Sequence, residues 1–253
     1  MSVRKILVTG ASRGVGRAVA AAFAANGDRV AVHHRDSADL AESLRAELPG
    51  SGHVVVQADL ADPAAVAAMT DAAADGLGGI DVLVNNAGQA YPHPITEVSY
   101  EQWQQAWART LAVNLTGPAN VTWCAVRHML ARPEGAPPAR IVNVGSRGAY
   151  RGEAGQPAYG AAKAGLHAMG QSLAVALAPY GIAVATVAPG YVLEDPSNAS
   201  YKVPRGAEHA AQSPFGRVAR PEEVAAAVLW LASPEAEWAS GAVLDLNGAS
   251  HLR

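Results

Sequence analysis

The sequence predicts an α/β fold: a doubly wound parallel sheet of about seven strands, with helices on both faces, in one domain. Three observations carry this. Seven short apolar runs alternate with alanine-rich stretches that place apolar residues at helical spacing. The runs are nearly continuous in Val, Ile and Leu, as expected of strands covered on both faces. The length of 253 residues, half of them hydrophobic, suits one large α/β domain, although two smaller ones would also fit.

The elements follow in order. "RKILVT" reads as the first strand, followed by a glycine turn and a helix over "GRAVAAAFAAN". "DRVAVH" is the second strand and "ADLAESLRAEL" its helix; "HVVVQA" is the third, followed by the helix "PAAVAAMTDAAADG". Asp62-Pro63 starts that helix well, because Asp can cap it and Pro is tolerated in the first turn. "IDVLVN", "ARIVNV" and "IAVATV" are the next strands, with long helices over 100–131 and 157–179 between them. The Pro-rich "ARPEGAPPAR" reads as an exposed helix-to-strand loop, and "PEEVAAAVLWLAS" leads to a last strand, "AVLDLN". The stretch 191–213 breaks the alternation: it is polar, holds Pro196, Pro204 and Gly206, and has no clear period. It reads as a substrate-binding loop or lid, against a variable surface insertion.

Composition narrows the function classes. A net charge of −3, with both signs spread along the chain, points to neither nucleic acid nor an anionic membrane. No signal-peptide core and no long unbroken apolar span is present, so the expectation is a cytoplasmic protein. Cys124, the one cysteine, cannot form an internal disulfide and reads as a buried apolar filler. Eight histidines show no paired spacing of the structural zinc type, so no metal is expected. His33 and His34, adjacent on a strand, point to opposite faces.

"VTGASRGVGRAVA" follows the first strand and opens the first helix. Gly10, Gly14 and Gly16, with Ser12, Arg13 and Val15 between them, let the chain turn tightly, approach a ligand and pack the helix on the sheet. The helix amides then favour a pyrophosphate. A glycine set alone is a weak signal, since any strand-helix turn can use glycine. This one, Thr-Gly-x-x-x-Gly-x-Gly, is joined by "YGAAK" at 159–163, "NNAG" at 85–88, "VNLTG" at 113–117, "NVGS" at 143–146, "APG" at 188–190 and "DLNG" at 245–248. Together, and in this order, these resemble the short-chain dehydrogenase/reductase family over essentially the whole chain. The members nearest in character are the 3-oxoacyl-(acyl-carrier-protein) reductases. The resemblance implies a Rossmann-type domain.

Tyr159 and Lys163 are four apart on a helix and therefore share a face. A free phenol titrates near ~10, and a nearby ammonium favours the phenolate, making the tyrosine a usable general acid or base. Ala161, Ala162, Ala164 and Gly165 leave room beside the pair for a cofactor. The resemblance implies four roles. Tyr159 exchanges a proton with the substrate oxygen; Lys163 lowers its pKa and binds the nicotinamide ribose. Ser146 orients the substrate oxygen, and Asn114 holds a water that extends the proton relay to Lys163. Without the family, Tyr159 and Lys163 would be an ordinary surface pair, Ser146 a turn residue and Asn114 a locally satisfied poor helix former.

Sites of this architecture commonly hold the ribose with an acidic residue after the second strand. Here "VAVHHRDS" places His34 there, with Arg35 next and Arg13 inside the glycine turn. Two guanidinium groups suit a 2′-phosphate, so NADP(H) is expected over NAD(H). Asp36 is the competing residue; capping the next helix is the other reading of it. By resemblance, Asp59 contacts the adenine amino group with Leu60 beside it. Asn86, Ala87 and Gly88 pass the adenosine, and Pro189, Gly190 and Val192 border the nicotinamide. One departure stands out: Glu194, next to Asp195, takes a position where the family often has a threonine. A carboxylate near the pyrophosphate implies another loop path, weaker cofactor binding, or a side chain facing solvent.

Trp103 and Trp107 suit core or interface packing, with substrate stacking as the other reading. Arg147 and Arg151 either meet an anionic substrate or stand as solvated charges. The resemblance implies a small-molecule carbonyl or alcohol substrate, possibly carrier-bound, and a homotetramer (or dimer) built through the long helices and the last helix and strand. It leaves open a reductase, an oxidative alcohol, sugar or steroid dehydrogenase, and a cofactor-binding regulator without turnover.

Overall fold

The structure, a computed structural model, describes residues 3–133, 135–193 and 206–253. Seven strands, β1 (Lys5–Val8), β2 (Arg29–His34), β3 (Val54–Gln57), β4 (Val82–Asn85), β5 (Ala139–Val144), β6 (Ile182–Pro189) and β7 (Val243–Leu246), form one sheet. Their order is β3-β2-β1-β4-β5-β6-β7, and every neighbouring pair is parallel. The period of two along each strand splits the core in two. Ile6, Val8, Val30, Val32, Val82 and Val84 meet α1 (Gly14–Ala25), α2 (Ala38–Glu47) and α8 (Pro221–Leu231) on one face. Leu7, Ala31, Leu83 and Ile141 meet α3 (Pro63–Leu77), α5 (Gly117–Leu130) and α6 (Pro157–Leu177) on the other. Both faces are thus covered, which is why the strands read as nearly continuous apolar runs.

The helix ends obey local rules. Asp62 accepts from the amides of Ala64 and Ala65 at 2.9 and 3.2 Å, with Pro63 in the first turn and Gly78 closing α3 at φ 79°. Ser99 and Gln102 form a reciprocal capping box at the start of α4 (Tyr100–Leu111).

Three expectations need correction. The helix expected over 100–131 is interrupted: α4 passes through a π-helical turn at Ala112–Thr116 before α5 begins. Pro118 has no N–H to give the Asn114 carbonyl, so the ordinary ladder fails there and Gly117 bonds back to Ala112 instead. Asp36 does not cap α2; its carboxylate pairs with the Arg35 guanidinium, and Ser37 is the capping position. Cys124 is half-buried at the edge of the α3–α5 core, not deep within it. Within 191–213, a short helix, α7 (Gly206–Ala210), precedes the turn to α8. The readings of Glu194, Asp195, Pro196 and Pro204 lie outside the described residues.

Among the described residues no helix is long and apolar enough to cross a membrane. No cluster of three or more His, Cys, Asp or Glu there could hold a metal ion.

Candidate active site

The strand order reverses between β1 and β4, so their following loops diverge and leave a crevice at the carboxyl edge of the sheet. A cleft of about 410 Å³ lies there, walled by the loops after β1, β2, β4, β5 and β6 and by the start of α6. Gly10, Ser12, Arg13, Val15, Gly16, His34, Arg35, Asp59 and Leu60 line it, as do Asn86, Ala87, Gly88, Ser146, Tyr159, Lys163, Pro189, Gly190 and Val192. Two expected site residues do not. Gly14 sits behind the turn at φ 54°, and Asn114, 0% exposed, lies beneath the loop after β4.

Close packing explains the glycine turn. Gly10 has φ 63°, and a β-carbon on it would stand 2.9 Å from Cα of Ala87. A β-carbon on Gly16 would stand 2.2 Å from the Gly10 carbonyl oxygen and 2.5 Å from Nδ2 of Asn86. That same Asn86 amide donates to the carbonyls of Thr9 and Gly10, at 2.9 and 3.1 Å, tying the loop after β4 to the turn after β1. His33 ties the turn to the second strand: Nδ1 accepts from the Gly10 amide at 2.9 Å, and Nε2 donates to the Ala58 carbonyl at 3.1 Å. Burial holds its pKa down at about 4, in keeping with a neutral ring.

The end of β2 is cationic. Arg13 donates to the Ser37 hydroxyl; Arg35 bonds to Asp36 and donates to Oε1 of Gln89 at 3.2 Å. His34 is buried there, and its Nδ1 has no hydrogen-bond partner among the described residues. A cradle closed by missing β-carbons, two guanidinium groups and an unsatisfied ring nitrogen fit a dinucleotide with a further phosphate on its ribose.

At the other end, α6 presents Tyr159 and Lys163 one turn apart. The Lys163 side chain is 3% exposed, and Nζ donates to the Val144 carbonyl at 2.8 Å. Burial pulls its pKa from 10.5 to about 8. The Ser146 hydroxyl oxygen accepts from the Gly148 amide at 3.0 Å, which leaves its own proton free to donate into the cleft. Asn114, placed by the π turn, accepts the Gln89 amide on Oδ1 at 3.1 Å. Its Nδ2 donates to the Gln89 and Thr110 carbonyls at 2.7 and 2.9 Å. A β-carbon on Gly88 would lie 2.9 Å from Asn114 Oδ1 and 3.4 Å from Lys163 Nζ, so this glycine is the gap through which the two side chains converge.

Sequence reasoning missed several residues. His167 continues the stripe of Tyr159 and Lys163 at the same spacing of four, a signal the sequence did contain. Its Nε2 accepts from the Ser146 amide at 3.3 Å and its Nδ1 donates to the Tyr150 hydroxyl at 3.0 Å, which locks the backbone beneath Ser146. Burial, then Lys163 and Arg253, hold its pKa down at about 4. His93 likewise braces the start of α6, accepting from the Ala158 amide at 3.2 Å. It meets Trp103 edge-on, and Trp103 packs on Trp107. Arg147 is not a solvated charge: it is 3% exposed and bonded to Gln212 and Ser250.

Known proteins resemble this chain over its full length. The family model described as enoyl-(acyl carrier protein) reductase matches residues 10–251. The chain is 41% identical to cis-4-hydroxycyclohexanecarboxylate dehydrogenase of Sinomonas cyclohexanicum, across 97% of this chain and 95% of that protein. It is 36% identical to the 3-oxoacyl-[acyl-carrier-protein] reductase of Vibrio cholerae, across 97% and 96%. Among solved structures, a short-chain dehydrogenase from Burkholderia cenocepacia in complex with NADP superposes with a TM-score of 0.87 at 33% identity, covering 98% of this chain and 97% of that one. The angucycline C-6 ketoreductase LanV with bound NADP gives 0.85 at 32% identity, covering 97% and 94%.

Proposed function

The chain belongs to the short-chain dehydrogenase/reductase family, and on that premise we propose that it is an NADP(H)-dependent ketoreductase with Tyr159 as general acid. It is an oxidoreductase that interconverts an alcohol and a carbonyl with a nicotinamide dinucleotide. NADP(H) is that cofactor: structural neighbours are complexes with NADP or NADPH, and this chain has His34 where an NAD site would carry a carboxylate, with Arg13 and Arg35 beside it in the cleft.

The observation that carries the reading is the meeting of Ser146, Tyr159 and Lys163 at one end of the cleft, with Asn114 under Gly88. When bound, the nicotinamide supplies the hydride. Pro189, Gly190 and Val192 border the nicotinamide end, while Asp59, Leu60 and the 86–88 loop border the adenosine. Ser146 donates to the substrate oxygen as negative charge develops on it, and Tyr159 gives that oxygen a proton. The Lys163 ammonium favours the phenolate so formed. Asn114 and Lys163, drawn together at Gly88, hold the water that returns the proton from solvent.

An oxidative reading uses the same residues in reverse. It is favoured by the relative named as a dehydrogenase of a hydroxycyclohexane carboxylate. Initial rates with NADPH plus ketones, and with NADP⁺ plus the matching alcohols, decide the direction. Absence of turnover on both panels would leave the regulator reading. Exposed Trp123 and Leu130 on α5, Val175 on α6 and Trp238 before β7 support a homotetramer, which sedimentation tests.

A further inference from the structure

The run that leaves β5 is held at three successive residues. The Val144 carbonyl accepts from Nζ of Lys163 at 2.8 Å, the Gly145 amide donates to the Val187 carbonyl at 2.7 Å, and the Ser146 amide donates to Nε2 of His167 at 3.3 Å. The β5–β6 register ends at Val144, so Ser146 takes its backbone partner from a side chain and not from the sheet. Two of the three grips come from α6, where Lys163 and His167 follow Tyr159 at successive turns. One helix therefore carries the tyrosine and also holds the strand end that carries the serine.

The His167 ring has little freedom of its own. It is buried, and a β-carbon on Gly145 would stand 2.0 Å from its Nε2 and 2.7 Å from its Cδ2, so the ring fills the space a side chain at 145 would take. The Ser146 amide can only donate, so Nε2 is bare and the ring proton sits on Nδ1, where it meets the Tyr150 hydroxyl oxygen at 3.0 Å. Arg253 steadies Tyr150 in turn: its guanidinium carbon lies 4.1 Å from the ring centre, and its Nε donates to Asp245 at 2.9 Å. Burial, then the charges of Lys163 and Arg253, opposed by Asp245, keep the imidazole pKa at about 4, so the ring is a neutral acceptor at ordinary pH. An apolar side chain of the same bulk would fill this space but leave the Ser146 amide without a partner.

We propose that His167 is a positioning residue for the reaction: by tying the Ser146 amide to the helix that carries Tyr159, it fixes the serine hydroxyl relative to the tyrosine hydroxyl. The proposal rests on the ketoreductase reading above and deepens it. Ser146 and Tyr159 have to meet one substrate oxygen, the first as a hydrogen-bond donor and the second as the acid. A misplacement of about 1 Å between such groups costs about 10²-fold in rate. His167 touches neither substrate nor cofactor in this scheme; it acts through Ser146 alone.

The test places His167→Leu and His167→Gln in the wild-type protein and in Ser146→Ala, and measures NADPH-dependent rates on ethyl 3-oxobutanoate and 4-oxocyclohexanecarboxylate. His167→Leu lowers kcat by about tenfold or more, while the ketone KM and the NADPH affinity stay within about threefold. His167→Gln, whose carbonyl oxygen can stand in for Nε2, recovers most of the loss. In Ser146→Ala the leucine costs nothing further, because the group that His167 positions is gone. An unchanged kcat in His167→Leu, a loss of equal size in both backgrounds, one carried by KM, or one that glutamine does not ease overturns the proposal. Two readings need no turnover. Nitrogen-15 NMR of the wild-type ring shows the proton on Nδ1, and the Ser146 amide exchanges its hydrogen slowly, like the Val142 amide inside β5. A proton on Nε2, or an unprotected Ser146 amide, overturns the proposal even where His167→Leu fails to fold. If neither ketone nor its alcohol turns over in the wild type, the ketoreductase reading fails, and these two readings alone decide whether His167 holds Ser146.

Discussion

Lys163 Nζ stands 5.8 Å from the centre of the Tyr159 ring, one helical turn away on α6, and donates to the Val144 carbonyl at 2.8 Å. The strand therefore aims the ammonium at the tyrosine from behind. Tyr159→Phe keeps the ring and loses only the hydroxyl. Turnover is expected to fall by roughly 10²–10⁴-fold, with NADPH affinity kept. Single-turnover kinetics and fluorescence titration read the two effects separately, and a fully active variant removes the mechanism.

The Lys163 charge gives a pH signature. Burial lowers its pKa to about 8, so the ammonium is present below that value and lost above it. The kcat/KM for ketone reduction should fall as pH rises through about 8. Lys163→Arg, whose guanidinium stays charged, should move the fall to higher pH at a reduced rate. A wild-type profile flat from pH 7 to 10 would contradict this. The sign for stability is opposite: the unfolded chain holds more protons between about 8 and 10.5, so this group favours folding as pH rises through that window.

Arg13 and Arg35 flank the end of β2 beside His34. Arg13→Ala and Arg35→Ala are each expected to reduce the preference for NADPH over NADH by about tenfold or more. Adding His34→Asp, which restores the carboxylate of an NAD site, should reverse it. Wild-type protein that binds NADH as tightly as NADPH would refute the assignment.

Gly16 and Gly88 are held by contact. Gly16→Ala places a β-carbon 2.2 Å from the Gly10 carbonyl oxygen, among backbone atoms that cannot yield. A stability loss of roughly 1–3 kcal/mol is expected, with weakened cofactor binding. Gly88→Ala would press on Asn114 Oδ1 at 2.9 Å, and its expected signature is lost turnover with the fold kept. Urea unfolding beside steady-state rates distinguishes the two.

His33 makes the fold acid-sensitive. Its ring is 2% exposed, and its pKa falls from 6.5 in the unfolded chain to about 4. The unfolded state takes up the proton first, so stability present above 6.5 drains away as pH falls towards 4, by about 3 kcal/mol in all. His33→Gln should flatten that part of the urea-midpoint profile. An unchanged slope would mean other groups carry the acid response.

The sheet was legible because a strand covered on both faces is largely apolar: "ARIVNV" reads off β5 residue for residue, with Arg140 and Asn143 as its buried polar exceptions. The turn glycines and the Tyr159–Lys163 pair were legible because their chemistry depends on spacing along one element. The π turn was not read: it widens the helix by one residue over a single turn, too short a phase shift to show in the apolar pattern, and Pro118, which has no N–H for the Asn114 carbonyl, was its local signal. The Asp36 cap failed because Arg35, exposed beside it, offered a competing partner.

By itself, then, the chain's local chemistry decided which elements form, where the glycines must sit and that Tyr159 and Lys163 share one face of a helix. Tertiary structure alone decided what those groups meet. Val144 from β5 receives the lysine, and the Ser146 backbone rests on His167. Arg147, whose surroundings the sequence left open, is buried against Tyr191, 44 residues further along, and shares Gln212 with Arg151. The physical reason is range. Helix period, capping and backbone freedom act within a few residues. Burial, desolvation and cross-strand hydrogen bonds depend on neighbours that only the parallel crossings of the sheet bring together.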